Sequence, residues 1–122
     1  MRVLVATTSV HTTAAACDYL SSRMTADDEV IVLTVSEPDL ADRDAGDAGN
    51  VARTRLVSPT VETVTREGNP ADVIRTVADE RAVDSIVLGQ HRGDPELAGD
   101  PPGSTVRAVL ADVDRPVTVL PL

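Results

Sequence analysis

The sequence has no lysine, no phenylalanine and no tryptophan, and Tyr19 is its one aromatic residue. Without aromatic side chains there is no platform on which bases could stack. All eleven cationic residues are arginine and face 20 carboxylates, for a net charge of −9. A field of that sign repels phosphate backbones, so nucleic acid is not expected as a partner. The single cysteine, Cys17, excludes an internal disulfide framework and a multi-cysteine metal site. No apolar run reaches the roughly 18 residues of a membrane helix, so no membrane association is expected. The run Met1–Ala6 is too short for a signal-peptide core and reads as a strand, which makes the cytoplasm the expected location.

What remains is ordinary globular material: 122 residues with 42% hydrophobic and 25% charged side chains. That length suits one domain, residues 1–122, around one core. Asp outnumbers Glu fourteen to six. A dense carboxylate surface stays hydrated in molar salt, which screens its self-repulsion. A GC-rich genome favours arginine, alanine, aspartate and valine codons without salt adaptation, but by itself it does not explain the acidic excess, so the composition is read as halophilic.

Val3-Leu4-Val5-Ala6 and Val30–Val35 are short apolar runs rich in β-branched residues, which predicts buried strands. Between them Thr7–Thr13 is polar, and Ala16, Cys17, Leu20 and Met24 fall on one face of a helix expected over Ala14–Met24. Residues 36–59 are irregular, with a short helix expected at Asn50–Leu56. Val61–Thr65 alternates as a third strand. Asn69-Pro70 is a helix start, an Asx cap followed by proline, with Val73, Ile74, Val77 and Ala78 along its stripe. Ser85–Leu88 is a fourth strand ended by Gly89. Ser104 or Thr105 caps a last helix that holds Val106, Val109, Leu110 and Val113, and Val117–Leu120 follows as the fifth strand. Apolar strands alternating with amphipathic helices predict a three-layer α/β/α sandwich on a five-stranded, mostly parallel sheet.

Ligands of such sheets bind beyond the carboxyl ends of the strands. The candidate segments are Thr7–Thr12, Val35–Asp39 and the glycine-rich stretch Gly89–Thr105. In the last, Gly103-Ser104-Thr105 opens a helix, directing backbone N–H groups and two hydroxyls at one spot, and Arg92 adds charge. The same spacing also describes a plain strand-to-helix connection with Ser104 as a cap. Cys17, among alanines, reads as a small core residue. His11 and His91 are placed on loops at the ligand edge, where two histidines can meet a metal or a phosphate, or simply face solvent. Ser9 with those histidines invites a hydrolase reading, but no nucleophile-elbow motif is present. The acid run Asp39–Asp47 lacks calcium-loop spacing and reads as a solvated loop.

The second half resembles the universal stress protein family. The residues that carry the resemblance are Arg66-Glu67-Gly68-Asn69-Pro70-Ala71-Asp72-Val73-Ile74, then Val83-Asp84-Ser85-Ile86-Val87-Leu88-Gly89, then Gly93 followed after nine residues by Gly103-Ser104, and the ending Arg115–Leu120. Residues 1–35 are similar more loosely. The resemblance implies an adenine-nucleotide alpha hydrolase-like fold and an adenine-nucleotide site, ATP with Mg²⁺. Its residues would be Thr7, Thr8, Val35, Gly89, His91, Arg92, Gly93, Gly103, Ser104 and Thr105. It also implies a homodimer through the last strand, Val117–Leu120, and a regulatory role in which any ATP hydrolysis is slow and incidental. Three departures stand out. Thr7-Thr8-Ser9 occupies the place of the family's Asp-Gly-Ser, one extra residue separates Gly89 from Gly93, and the loop carries Asp94, Glu96 and Asp100. Carboxylates there repel a triphosphate unless a cation bridges them. These departures support the alternative of a dimeric protein-interaction module with a degenerate pocket.

Overall fold

The computed structural model describes residues 1–7, 10–36, 60–89 and 104–120; at 7, 10–12, 36 and 104 the description is of the backbone. The described elements alternate: β1 (Arg2–Thr7), α1 (Val10–Ser21), β2 (Glu29–Ser36), β3 (Thr60–Glu67), α2 (Pro70–Glu80), β4 (Ser85–Gly89), α3 (Ser104–Ala111) and β5 (Val117–Leu120). The strands form one five-stranded sheet in the order β3-β2-β1-β4-β5, and every pairing is parallel. The expected architecture is therefore present, with no antiparallel strand among the described residues.

Alternation along the strands divides the core into two layers. Leu4, Ile31, Leu33, Val64, Ile86 and Leu88 pack with α2 and α3, where Ile74, Val77 and Val109 are buried. Val3, Val5, Val30, Val32 and Val87 pack on the other face with Ala16, Cys17 and Leu20 of α1. Burial on both faces is why these strands read as continuous apolar runs. Each fully buried Val, Leu or Ile contributes roughly 1.5–3 kcal/mol relative to exposure. Cys17 is completely buried, as a small core residue should be.

α2 shows local sequence determining local structure. The Asn69 side chain accepts from the Asp72 N–H at 3.2 Å, Pro70 occupies the first helical position and Asp72 lies in the first turn. Gly68, just before the cap, has φ +133°, a conformation open to glycine, and a Cβ there would meet Val73 Cγ2 at 3.2 Å. At the other end the Val83 N–H donates to the Ala78 carbonyl at 3.1 Å and the Ala82 N–H to that of Asp79 at 3.2 Å. This is a Schellman closure, and it holds Ala82 at φ +50° where glycine is usual.

Four expectations are corrected. α1 begins at Val10 and ends at Ser21, so the stretch expected to be a polar loop up to Thr13 is partly helix and His11 lies in the helix's first turn rather than on a loop. Met24 stays buried because the chain folds back after the helix, with the N–H groups of Arg23 and Met24 both donating to the Leu20 carbonyl. β3 runs from Thr60 to Glu67, longer than its apolar alternation, because the ladder to β2 continues through polar residues. Ser104 is already helical, and α3 stops at Ala111, leaving Val113 beyond it but packed on the core. The expected irregular 36–59 segment, with its Asn50–Leu56 helix and Asp39–Asp47 acid run, lies outside the described residues apart from Ser36, which ends β2.

Candidate functional site

The strand order fixes where a ligand site can form. β1 pairs with β2 on one side and with β4 on the other. The connection out of β1 leads to α1 on one face of the sheet, and that out of β4 leads to α3 on the opposite face. Two adjacent parallel strands whose connections diverge leave a crevice at their carboxyl ends. Ala6 pairs with Leu88, so Thr7 and Gly89, one residue further on, end side by side at that crevice. Thr7 also pairs with Thr34, and Val35 follows it at the end of β2.

Of the ten residues expected at the site, five are placed. Thr7 and Gly89 end β1 and β4, Val35 is the penultimate residue of β2 between them and the edge strand β3, and Ser104 and Thr105 lie in the first turn of α3. Thr8, His91, Arg92, Gly93 and Gly103 lie outside the described residues, as do Ser9 and the loop carboxylates Asp94, Glu96 and Asp100. Val35 is 4% exposed and its side chain belongs to the α2-facing core. Only its backbone is therefore available to a ligand. Thr105 is half-buried next to Val106, which is buried.

One feature of this edge escapes sequence reasoning. Thr7 pairs with Thr34 and Thr34 pairs with Thr65, so three threonines from three adjacent strands stand in one row. Thr34 and Thr65 read as ordinary strand residues, because register between distant segments is invisible in the linear sequence. The available signal is the change from Val30 and Val32 to Thr34 at every second residue of β2.

The amino edge of the sheet differs in character. A cavity of about 680 Å³ between α2 and the α3–β5 connection is lined by Asp72, Arg75, Asp79, Ile86, Val113 and Arg115, among others. Its cations are engaged: Arg115 donates to the Ala78 carbonyl at 2.6 Å and pairs with Asp79 at 2.8 Å, while Arg75 pairs with Asp72. A smaller cavity, about 200 Å³, is lined by Met1, Arg2, Asp27, Glu29, Ala82 and Asp84. Nearby, Asp28 accepts from the Met1 amino group at 2.8 Å and from the Thr25 N–H at 2.8 Å. These bonds hold the Asp28 carboxyl below its ordinary value and raise the amino group above its own. Ile86 pairs with Val117 at the start of β5, which puts the larger cavity at the end of the sheet away from the crevice. Among the described residues no three His, Cys, Asp or Glu side chains converge as metal ligands. No described helix is long and apolar enough to cross a membrane.

A parallel α/β sheet with a crevice between its two central strands defines a class of ligand-binding fold. Within that class the chain belongs to the universal stress protein family, whose pattern it matches over residues 1–121. Solved structures agree with this fold. A hypothetical protein of known crystal structure is 28% identical, with 97% of this chain and 92% of that one covered and a TM-score of 0.74. A universal stress protein in complex with cAMP is 22% identical, with 98% and 95% covered and a TM-score of 0.73. A universal stress protein family member from Arabidopsis thaliana with AMP bound is 18% identical, with 98% and 90% covered and a TM-score of 0.66. No curated protein matches the sequence significantly.

Proposed function

We propose that this chain, as a single domain, is a stress-response or regulatory module that binds an adenine nucleotide at the carboxyl edge of the sheet. The observation that carries the reading is the strand order, which sets Thr7 and Gly89 side by side where the connections to α1 and α3 part. The phosphates would lie on the first turn of α3, at Ser104 and Thr105, with Gly89, His91, Arg92, Gly93 and Gly103 of the preceding loop. N–H groups at a helix start suit an anion on both hydrogen-bonding and dipole grounds. Thr7, Thr8 and the Val35 backbone would border the base. The structures of relatives with cAMP and AMP support the class of ligand. Mg²⁺ would arrive with the nucleotide and bridge its phosphates to the loop carboxylates Asp94, Glu96 and Asp100, which would otherwise repel them. No general base is evident, so ATP turnover would be slow and incidental. The halophilic composition points to a salt-rich cytoplasm as the working environment. β5 ends the sheet order, and its half-buried Val117 and Val119 suit pairing with a second copy as a homodimer.

Thr7 favours a second reading, a nucleotide-independent interaction module. A hydroxyl there lacks the charge of the carboxylate that the family resemblance implies at that place. Calorimetric titration of ATP and AMP in molar KCl with Mg²⁺ separates the two. Micromolar binding, abolished by Ser104→Ala with Thr105→Ala, supports the nucleotide site. No heat at millimolar nucleotide from protein shown to be folded overturns it in favour of the interaction module.

A further inference from the structure

We infer that the groove between α2 and the α3–β5 connection docks a short, arginine-bearing segment of a partner protein, whether or not a nucleotide is bound at the opposite edge of the sheet. The groove exists because α3 is short. It ends at Ala111 after about two turns, so none of the described helices covers the space between α2 and the start of β5. What is left is a cavity of about 680 Å³, an ordinary volume for a ligand site. Its base is apolar: Ala78 and Ile86 are buried there, and Val113 packs on the core beside them.

The charged groups above that base are layered. Arg75 and Arg115 sit in the walls, their side chains 30% and 16% exposed. Each is tied to a backbone carbonyl, Arg115 to that of Ala78 at 2.6 Å and Arg75 to that of Ala108 at 3.4 Å. The carboxylates of Asp72, Asp79, Asp112 and Asp114 are between 68% and 85% exposed and stand at the mouth. Four aspartates against two arginines leave an excess of two negative charges where a ligand enters. An anion meets the carboxylates first and is repelled. A single metal ion is not matched either, because among the described residues no three carboxylates converge. Asp72 and Asp79 lie on one stripe of α2, two turns and about 10 Å apart along its axis. Asp112 and Asp114 belong to the other wall, the connection from α3 to β5. Carboxylates spread along two walls over an apolar base suit an extended ligand with cations at intervals and an apolar body between them. An arginine-bearing peptide has both. Its guanidinium groups pair with carboxylates two hydrogen bonds at a time, and its methylene stems lie on apolar surface.

The test is a titration of the isotope-labelled protein with the acetylated and amidated peptide Arg-Leu-Arg-Leu-Arg, followed by amide chemical shifts. It is run in the lowest KCl concentration at which circular dichroism finds the protein folded. The expected shifts are confined to the stretch of α2 from Asp72 to Asp79 and to residues 111–115. Asp112→Asn with Asp114→Asn should weaken binding roughly fivefold, the worth of two exposed ion pairs. Asp18→Asn with Asp27→Asn removes the same charge from exposed carboxylates on and after α1, and should leave binding unchanged. Shifts scattered over the whole surface, or equal weakening by the two variants, overturn the proposal, because the peptide would then be drawn to the acidic chain at large. Groove shifts produced by spermidine and not by the peptide overturn the peptide as occupant in favour of a small polyamine. No shift at millimolar peptide overturns the site. The shift map needs only the parent chain, so it decides the matter even where a variant fails to fold.

Discussion

Ala82→Gly should make the protein more stable. Ala82 closes α2 at φ +50°, held there by its own N–H on the Asp79 carbonyl and by that of Val83 on the Ala78 carbonyl. The closure is fixed from outside as well, since Val83 is buried in the core and Arg2 donates to the Arg81 carbonyl at 2.6 Å. An L-residue in the left-handed region costs roughly 1–2 kcal/mol, from contact between its Cβ and the following carbonyl. Glycine removes that contact but raises unfolded-chain entropy by an amount worth roughly 0.4–1 kcal/mol. The net stabilisation is roughly 0.5–1 kcal/mol. Unfolding entropy of about 2.1 cal/mol/K per residue, applied to 122 residues, turns this into a rise in Tm of about 2–4 °C. Thermal unfolding followed by circular dichroism in molar KCl reads it directly. Ala82→Asn should fall between parent and glycine variant, because asparagine tolerates this conformation better than alanine. A Tm unchanged or lowered by Ala82→Gly would refute the reasoning, since it would mean that no left-handed strain is present to relieve.

The opposite sign is expected at the other end of the same helix. Gly68→Ala forces a side chain into φ +133° and against Val73, and should lower stability by roughly 1–3 kcal/mol in a urea titration. Arg115→Ala strips the Ala78 carbonyl and Asp79 of their donor between α2 and β5, and should cost roughly 1–3 kcal/mol in the same assay. Asp28 is held below its ordinary 3.8 by the Met1 amino group and then by the Thr25 N–H, so its contribution is present above that value and lost as pH falls through the folded one. Asp28→Asn should accordingly flatten the acid limb of a stability–pH curve below about pH 4, and an unchanged limb would show that Asp28 does not contribute to it.

The parts of the fold legible in the sequence are those in which local and global demands coincide. Val3–Ala6, Val30–Val35 and Ser85–Leu88 are covered on both faces, so their apolar runs mark them as strands wherever they sit in the sheet. Asn69-Pro70 carries its own cap and needs no tertiary context. α1 is the contrary case. Val10-His11-Thr12-Thr13 has weak helix propensity, but Thr13 is fully buried in the helix, and packing against the sheet overrides local preference. β3 extends through Arg66 and Glu67 because its ladder to β2 requires only backbone. At the candidate site, residues that end a strand or begin a helix could be read from sequence, which is why Thr7, Val35, Gly89, Ser104 and Thr105 were placed at one edge. That Val35 points into the core, and that Thr34 and Thr65 share a row with Thr7, depends on pairing between segments far apart in sequence.

The strand order also carries a consequence for how the chain is made. β1 is the central strand, and its neighbour on one side, β2, ends at Ser36, whereas its neighbour on the other, β4, begins only at Ser85. A growing chain can therefore lay down β1, β2 and β3 as one half-sheet while the second edge of β1 stays unpaired. That edge belongs to Val3, Leu4 and Val5, and it waits through roughly fifty further residues, or about 3–10 s at 5–20 residues per second. During this interval the nascent protein presents the very feature that mature sheets conceal, a flat and apolar free edge. Synthesis rather than unfolding is thus the stage at which this protein is most exposed to mispairing, and β4 is the segment that ends the exposure.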